Sequence, residues 1–415
     1  MILAIALPSL IGFGALGVET GMWYATKVQN QSAADAAAIS AAYEVIGGKS
    51  DIIGDLLPAA TQAVEQNGSH RIIPSISYPY LDTIVTNGIA VTLQQTQGVL
   101  LAAPFLPEVT ITNKAVATIT PLDHPCILTL GTTNTDVEIS PSTRLNMPNC
   151  GIVANSTSRT AVTLNAPTSS VAASTIVTAG ALSLQRTPVD PRALPPQFAL
   201  TSLPRIGAPI MNNPYADTLT HAFLTARMPV TGTCPQMESQ SLTTYQAGNC
   251  VIPGPGLIVE AGRTIDLAPG TYWVTGDLTV APTGILHCSA CDNVAGSGVT
   301  VILTGSASIT GGIINLNAPS SGPFAGLALV QDVTDMASGH GSKITGGPAA
   351  TLNGLIYFPK SSMTFHGNPS STGPKCLILV VNWLNVDADS NLDSAGCSSI
   401  GLNTLPTIRT VTLAE

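Results

Sequence analysis

The first 18 residues contain no charged side chain, and this run limits what the chain can become more than any other feature. It reads MILAIALPSLIGFGALGV, which as a helix would be about 27 Å long. Extension through Glu19 to Trp23 and Tyr24 reaches a membrane-spanning length, with two aromatic residues where interfacial anchors commonly lie. A cleaved signal peptide would have a basic start, and a buried core helix is the other alternative. The run therefore favours a membrane anchor or a helix packed inside a filament.

The helical pattern continues beyond the apolar run. Residues 27–42 read KVQNQSAADAAAISAA, which is rich in alanine and free of glycine and proline, so helix propensity is high. We expect one helix over residues 1–45, with Pro8 near its start and Gly47 and Gly48 as its stop signal. Its first half would lie in lipid or against like helices, and its second half would pack on a globular head. This is the plan of a type IV pilin-like subunit.

Short motifs recur at definite places along this helix. They are Leu7-Pro8, Gly17-Val18-Glu19-Thr20-Gly21, Trp23-Tyr24 and the tract from Gln31 to Ala38. Together they resemble the N-terminal signature of TadE/TadG-like proteins of the tight-adherence (Flp) pilus-assembly systems. That family commonly has Asp where Glu19 stands, and a basic stretch before the apolar run, whose absence here is compatible with a natural start upstream of Met1. The resemblance implies an assembly helix whose key residues are Leu7, Pro8, Gly17, Glu19, Gly21, Trp23, Tyr24 and Asp35.

Residues 46–122 predict a small α+β head. Asp51 to Glu65 has apolar residues at helical spacing, and Ile84 to Gln94 and Val109 to Thr120 have the alternation of strands. A helix followed by strands, preceded in the chain by the long N-terminal helix, gives an α+β fold class for this part.

From Cys126 onward the pattern becomes all-β, so we assign residues 123–415 to a β-rich domain. Charged residues make up only 9% of the chain, against about 25% in typical proteins. Short apolar runs alternate with polar turns, which predicts many short strands. The proline-rich passage 186–256 cannot supply a central strand, and we interpret it as a crossing segment pinned by Cys234 and Cys250.

Nearly continuous apolar runs predict strands that are buried on both faces. Such runs are Val299–Leu303, Leu355–Phe358 and Leu377–Val381, and the sequence ITGG occurs at both Ile309 and Ile344. This favours a parallel β-helix or related solenoid, with a β-sandwich as the alternative. Several segments here also resemble the C-terminal half of long TadG-type proteins, namely Pro269–Tyr272, Gly298–Leu303, Asn315–Pro319, Gly326-Leu327, Leu355–Pro359 and the pair Cys376 and Cys397.

The eight cysteines form four local pairs in the sequence. An even number with this spacing indicates disulfides and an oxidising compartment, although the sequence alone does not fix the connectivity. Zinc is a competing interpretation only at Cys288 and Cys291, next to His287, and a redox-active pair there lacks a thioredoxin-like context. We therefore predict disulfide bonding for Cys126, Cys150, Cys234, Cys250, Cys288, Cys291, Cys376 and Cys397.

Catalytic constellations are sparse in this sequence. Asp387, Asp389 and Asp393 form the one dense acidic group of the β region, with Asp266 and Asp277 a looser pair, and turns commonly carry such residues. Asp387-x-Asp389-x-Asn391 imitates the start of a calcium loop, but the required Gly and Glu are missing. The net charge of −9 argues against nucleic acid. We expect no enzyme activity, no cofactor and no catalytic or metal site.

The favoured function is that of a surface-exposed pilin-like or pilus-assembly component of a Tad-type system that mediates attachment or assembly. Two alternatives are the main repeating subunit of an extracellular filament and a secreted β-helix carbohydrate-active enzyme. The expected partners are the membrane or sister N-terminal helices, within a homo-oligomer or with other pilus proteins. The expected location is the bacterial cell envelope or cell surface.

Overall fold

A computed structural model describes residues 2–82, 87–99, 108–228, 232–234, 243–245, 248–293, 296–333, 341–345, 351–366, 376–402 and 407–414. The chain divides into two compact units. The first unit comprises Met1–Leu122 and Arg409–Glu415, and the second comprises Asp123–Ile408. The helices are α1 (Ile2–Ile46), α2 (Leu57–Gln66), α3 (His221–Arg227) and α4 (Ser289–Asn293), with a π-helical turn at Ile52–Leu56 and a 3-10 turn at Ser398–Ile400.

Strands make up most of the remaining regular structure. In chain order they are β1 (Ser75–Tyr80), β2 (Gly88–Gly98), β3 (Glu108–Asp123), β4 (Pro125–Thr129), β5 (Val137–Ile139), β6 (Arg144–Met147), β7 (Gly151–Ala154), β8 (Val162–Leu164), β9 (Ser170–Ala173), β10 (Ile176–Thr178), β11 (Leu182–Leu184), β12 (Thr187–Pro188), β13 (Phe198–Leu200), β14 (Thr243–Tyr245), β15 (Cys250–Ile252), β16 (Gly256–Val259), β17 (Thr264–Leu267), β18 (Gly270–Val274), β19 (Asp277–Val280), β20 (Ile285–His287), β21 (Val299–Leu303), β22 (Ala307–Thr310), β23 (Ile313–Asn317), β24 (Leu327–Gln331), β25 (Gly341–Thr345), β26 (Thr351–His366), β27 (Leu377–Ala388), β28 (Ser390–Asn391) and β29 (Ile408–Ala414).

The first unit is a helix-on-sheet layer. Its sheet has the strand order β1-β2-β3-β29, and α1 and α2 pack on it through a shared core. The alanines of α1 recur at helical spacing and are buried completely, so the helix can approach the sheet closely. The predicted long helix followed by a largely β region is thus confirmed.

The elements of the head differ in detail from the prediction. The helix predicted over Asp51–Glu65 begins with a π-helical turn, and its α-helical part runs from Leu57 to Gln66. The strand predicted from Ile84 becomes β2, starting at Gly88, while residues 83–86 lie outside the described ranges. Strand β1 was not predicted, because Pro79 interrupts its pattern and β1 shifts register between Ser77 and Tyr80.

The strands of the second unit stack in three parallel ladders. In the first ladder the order is β15-β18-β21-β24-β26-β27-β4-β7-β10. In the second ladder it is β16-β19-β22-β25-β26-β27-β5-β8-β11. The third ladder has two segments, β14-β17-β20-β23-β26 and β28-β6-β9-β13. Among the described residues of the second unit, β11 also pairs antiparallel with β12 at the end of the second ladder. Because β1, β2 and β3 of the first unit are antiparallel as well, the chain contains both parallel and antiparallel strand pairs.

The ladders do not follow the order of the sequence. The last long strand, β27, pairs with the first strands of the unit, as in Leu379 with Ile127 and Leu384 with Val137. The two ends of the unit therefore meet in the middle of the stack. We call this junction between β27–β28 and β4–β6 the seam.

Strands of the first ladder are buried on both faces, as their continuous apolar sequences predict. In β27, Leu377, Leu379 and Val381 join the central core, whereas Ile378 and Val380 join a second core on the other face. The crossing segment covers this second core with Tyr215, Leu219, Leu224 and Met228. The proline-rich passage thus contains short strands and helix α3, and part of it packs along the first ladder.

Candidate functional site: the N-terminal assembly helix

The second half of α1 is fixed to the head by small side chains. Ala33, Ala34, Ala37, Ala38 and Ala41 are all 0% exposed and face α2 and the sheet. A larger residue at these places would push the helix away from its neighbours, since interiors are close-packed. The alanine-rich tract therefore has a structural role in holding the helix.

A set of amide hydrogen bonds lies where α1 leaves the head. Asn30 donates from Nδ2 to Gln95 Oε1 at 2.8 Å and accepts from Ser69 Oγ at 2.9 Å. Asn113 donates from Nδ2 to Gln31 Oε1 at 3.0 Å and to the carbonyl of Lys27 at 3.1 Å. These bonds orient the helix at the boundary between its packed half and its N-terminal half.

The part of α1 before these amides exposes large apolar side chains. Val18 is 60% exposed, Met22 62% and Tyr24 71%, and Leu16 and Val28 are exposed as well. Glu19 differs from its neighbours because it is only 4% exposed. Exposed apolar side chains in such a series on a helix are typical of an interaction surface. We call residues 14–28 the exposed helix segment.

Glycines in this segment have open surroundings. A Cβ atom placed at Gly14, Gly17 or Gly21 would meet no atom of the described residues within 4 Å. Each glycine lowers helix stability by about 1 kcal/mol relative to alanine, and no contact in the described part of the first unit requires its small size. The glycines therefore lie at open positions of the exposed helix segment.

The predicted assembly residues lie along one helix and are not gathered at one point. Gly17, Gly21 and Tyr24 are exposed, Trp23 is half-buried and Glu19 is buried. Asp35 lies in the packed half and accepts from Gln31 Nε2 at 2.9 Å. Leu7 and Pro8 belong to α1, but their side chains lie outside what the structure describes. Within the described ranges, no helix has both the length and the apolar character needed to cross a membrane.

The acidic residues singled out in the sequence each have a local partner. Asp387 lies 3.1 Å from His366 Nδ1, and Asp389 accepts from the backbone N–H of Arg144 at 2.7 Å. Asp393 accepts from Asn149 Nδ2 at 3.3 Å and from the N–H of Ala395 at 2.9 Å. Two of these contacts, at Asp389 and Asp393, cross the seam. Their shared role is to satisfy donors where the two ends of the second unit meet.

The looser acidic pair also accepts hydrogen bonds from neighbouring residues of the second unit. Asp266 accepts from the backbone N–H of Ser289 at 2.8 Å and lies 3.8 Å from His287 Nε2. Asp277 accepts from the N–H of Ser306 at 2.7 Å and from its hydroxyl at 3.0 Å. In the described portion of the chain, no group of three or more residues of the metal-binding types comes together.

The eight cysteines form four disulfides, which confirms the predicted disulfide bonding and adds the connectivity that the sequence left open. The bonds join Cys126 to Cys150, Cys234 to Cys250, Cys288 to Cys291 and Cys376 to Cys397. Cys126 in β4 is tied to Cys150, which immediately precedes the neighbouring strand β7, and Cys288 and Cys291 close a turn at α4. All four lie in the second unit.

One buried titratable group was missed in the sequence. Asp136 is 1% exposed and accepts from the N–H of Ser156 at 2.8 Å and from Thr129 Oγ1 at 3.1 Å. Burial raises its pKa to about 7, and the hydrogen bonds oppose the rise only in part. A lone Asp in a Thr-rich turn gives no sequence signal of burial.

Comparison with known families supports the resemblance at the helix. Residues 1–44 match the sequence profile of the Flp pilus-assembly TadE/G-like family. The match confirms the TadE/TadG-like character of this segment, and it supports a role related to Tad pilus assembly at the cell envelope. It ends before the head, so the resemblance of later segments to TadG-type proteins stays a prediction. No curated protein and no solved structure gives a significant match to the chain.

Proposed function

We propose that the protein is a pilin-like or assembly component of a Tad-type pilus, held at the cell surface through the exposed helix segment. The observation that carries the proposal is the coincidence of two facts. The TadE/G-like match covers residues 2–44 of α1, and the same helix presents large apolar side chains that its own head does not cover. Burial of those side chains in lipid or among sister helices would be favourable.

The second unit is proposed as the displayed part, with the parallel β-helix as its architecture and attachment as its task. The parallel ladders and the continuous central core support a β-helix over a sandwich. We further propose that it is not an enzyme. In support, each of the five aspartates considered as catalytic candidates accepts a hydrogen bond or lies close to a histidine within the second unit.

The role of the exposed helix segment is tested by one charge placed on it. Met22→Lys should remove the protein from the surface-filament and membrane fractions of cells, since a lysine is costly in apolar surroundings. The head should stay folded, because Met22 is 62% exposed. The matched control is Ile73→Lys in the head, where the parent side chain is 78% exposed and fractionation should be unchanged. A Met22→Lys protein that fractionates as wild type would contradict the proposal.

Two separations distinguish an assembly component from the main filament subunit. Mechanical shear releases intact filaments, and detergent extracts single membrane-anchored chains. A minor component is expected mostly in the detergent extract, with a small share in sheared filaments. Recovery of the chain as the dominant protein of sheared filaments would instead favour the repeating subunit.

Attachment is tested with cells that make a chain in which residues 123–408 are replaced by a short turn. These cells should keep the first unit at the surface and lose attachment to the surfaces that wild-type cells colonise. Unchanged attachment, with the shortened chain detected at the cell surface, would count against the attachment role and leave the assembly role standing.

A further inference from the structure

The first unit is completed by the last residues of the chain. Strand β29 takes its place beside β3 at the edge of the four-stranded sheet. Thr118 in β3 donates from Oγ1 to the carbonyl of Thr412 at 2.9 Å, and the two hydroxyls lie 3.0 Å apart. These two neighbours are 294 residues apart in sequence. The whole second unit lies between them in the sequence.

The two ends of the second unit are also neighbours. Gly151 donates its N–H to the carbonyl of His124 at 3.1 Å. A Cβ atom placed on Gly151 would lie 2.6 Å from Cδ1 of Ile408. The chain thus leaves β3 and returns to β29 at nearby points. Thr118, which precedes the end of β3, is also hydrogen-bonded to Thr412, which follows the start of β29. The two strands therefore run antiparallel, like a hairpin with the second unit in place of its turn.

Each hydrophobic core consists of residues from a single unit. The core under α1 contains residues of α1, α2, β2 and β3, with Val411 of β29 packed against it. The two cores of the second unit consist of residues between Cys126 and Ile408. Domains with their own cores tolerate insertion at surface turns, where few native contacts are interrupted.

We propose that residues 123–408 are an insert in a self-sufficient assembly module, which folds and presents its helix whether or not the insert is folded. The identification of the module with assembly rests on the proposed function, whereas its independent folding does not. The insert could then be exchanged for another displayed domain at the β3–β29 turn without change to the assembly helix.

The test unfolds the insert within the full chain. Leu384→Asp places a carboxylate at a 0% exposed position of the central core, next to the seam. Asn385→Asp is the matched control, since it adds the same charge at the neighbouring, half-buried position. Hydrogen–deuterium exchange read by mass spectrometry should show uptake about tenfold faster or more in the strands of the second unit of the Leu384→Asp chain. Strands β1, β2, β3 and β29 should exchange as in wild type.

Loss of protection in β1, β2 and β3 together with the second unit would overturn the proposal. If Leu384→Asp aggregates or leaves the second unit folded, the wild-type chain is titrated with urea instead. Hydrogen–deuterium exchange of the same peptides then shows whether the two units unfold separately. Two separate transitions are expected, and one coincident transition for all peptides overturns independence. Cell fractionation is measured in parallel. A wild-type chain absent from filaments and membranes would count against the proposed function alone, because hydrogen–deuterium exchange would still show whether the first unit folds independently.

Discussion

Asp136 is a buried carboxyl group whose protonation is linked to the stability of the second unit. Its pKa is raised to about 7 in the folded chain, mainly by burial, whereas an unfolded chain has a value near 3.9. The folded state therefore binds the proton more tightly. The stabilisation from this group is full below about pH 4 and is lost as the pH rises through about 7.

We predict that Asp136→Asn flattens this pH dependence. Asn stays neutral at every pH and can still accept from Ser156 and Thr129. At pH 8 the variant should be more stable than wild type, by up to about 4 kcal/mol from the size of the pKa shift, and at pH 4 the two should be similar. Urea unfolding of the second unit at the two pH values measures this. Parallel pH profiles for the two proteins would contradict the prediction.

Asp389 accepts a backbone hydrogen bond across the seam through one carboxylate oxygen. It accepts from the N–H of Arg144 at 2.7 Å across 245 residues of sequence. We predict that Asp389→Ala lowers the free energy of unfolding of the second unit by about 1 kcal/mol, as loss of a cap does. Asp389→Asn keeps an acceptor and should stay close to wild type. Equal losses for the two variants would mean that the charge, and not the hydrogen bond, stabilises the seam.

The helix α1 has two different environments along its described length. Its alanine-rich half packs on the head, as the sequence predicted, and most of the described side chains of residues 14–28 are exposed, because composition along a helix reports directly on what it contacts. Strand β29 and the seam could not be predicted in this way. Thr118 contacts Thr412, and Leu384 pairs with Val137, across long stretches of sequence. Local periodicity predicts where strands occur, but it does not show which distant strands pair.

The same two environments give opposite expectations for larger side chains in α1. Ala37 is 0% exposed, so Ala37→Leu should overpack the head and lower its stability by about 1–3 kcal/mol. Gly21 has open surroundings, so Gly21→Ala should leave the stability of the head unchanged or raise it by up to about 1 kcal/mol. Thermal unfolding of the purified full chain measures both. Similar destabilisation by the two changes would mean that Gly21 is also closely packed.

At the scale of the whole molecule, covalent stabilisation is confined to one unit. Every cysteine of the chain lies between residues 126 and 397, and each is in a disulfide of the second unit. The three longer loops, which span 24, 16 and 21 residues, restrict the unfolded chain more than the Cys288–Cys291 loop does. The first unit depends on its noncovalent core alone.

Reduction should therefore separate the two units in an unfolding experiment. With a thiol reductant present, the unfolding transition of the second unit should move to lower denaturant by an amount that reflects about 2–4 kcal/mol or more. The transition of the first unit, followed by exchange in β2 and β3, should stay where it is without reductant. Cys288→Ser with Cys291→Ser is the matched control, because this short loop should account for little of the shift. A transition of the first unit that moves together with that of the second would show that the stability of the assembly helix and its head depends on the disulfide-bonded insert.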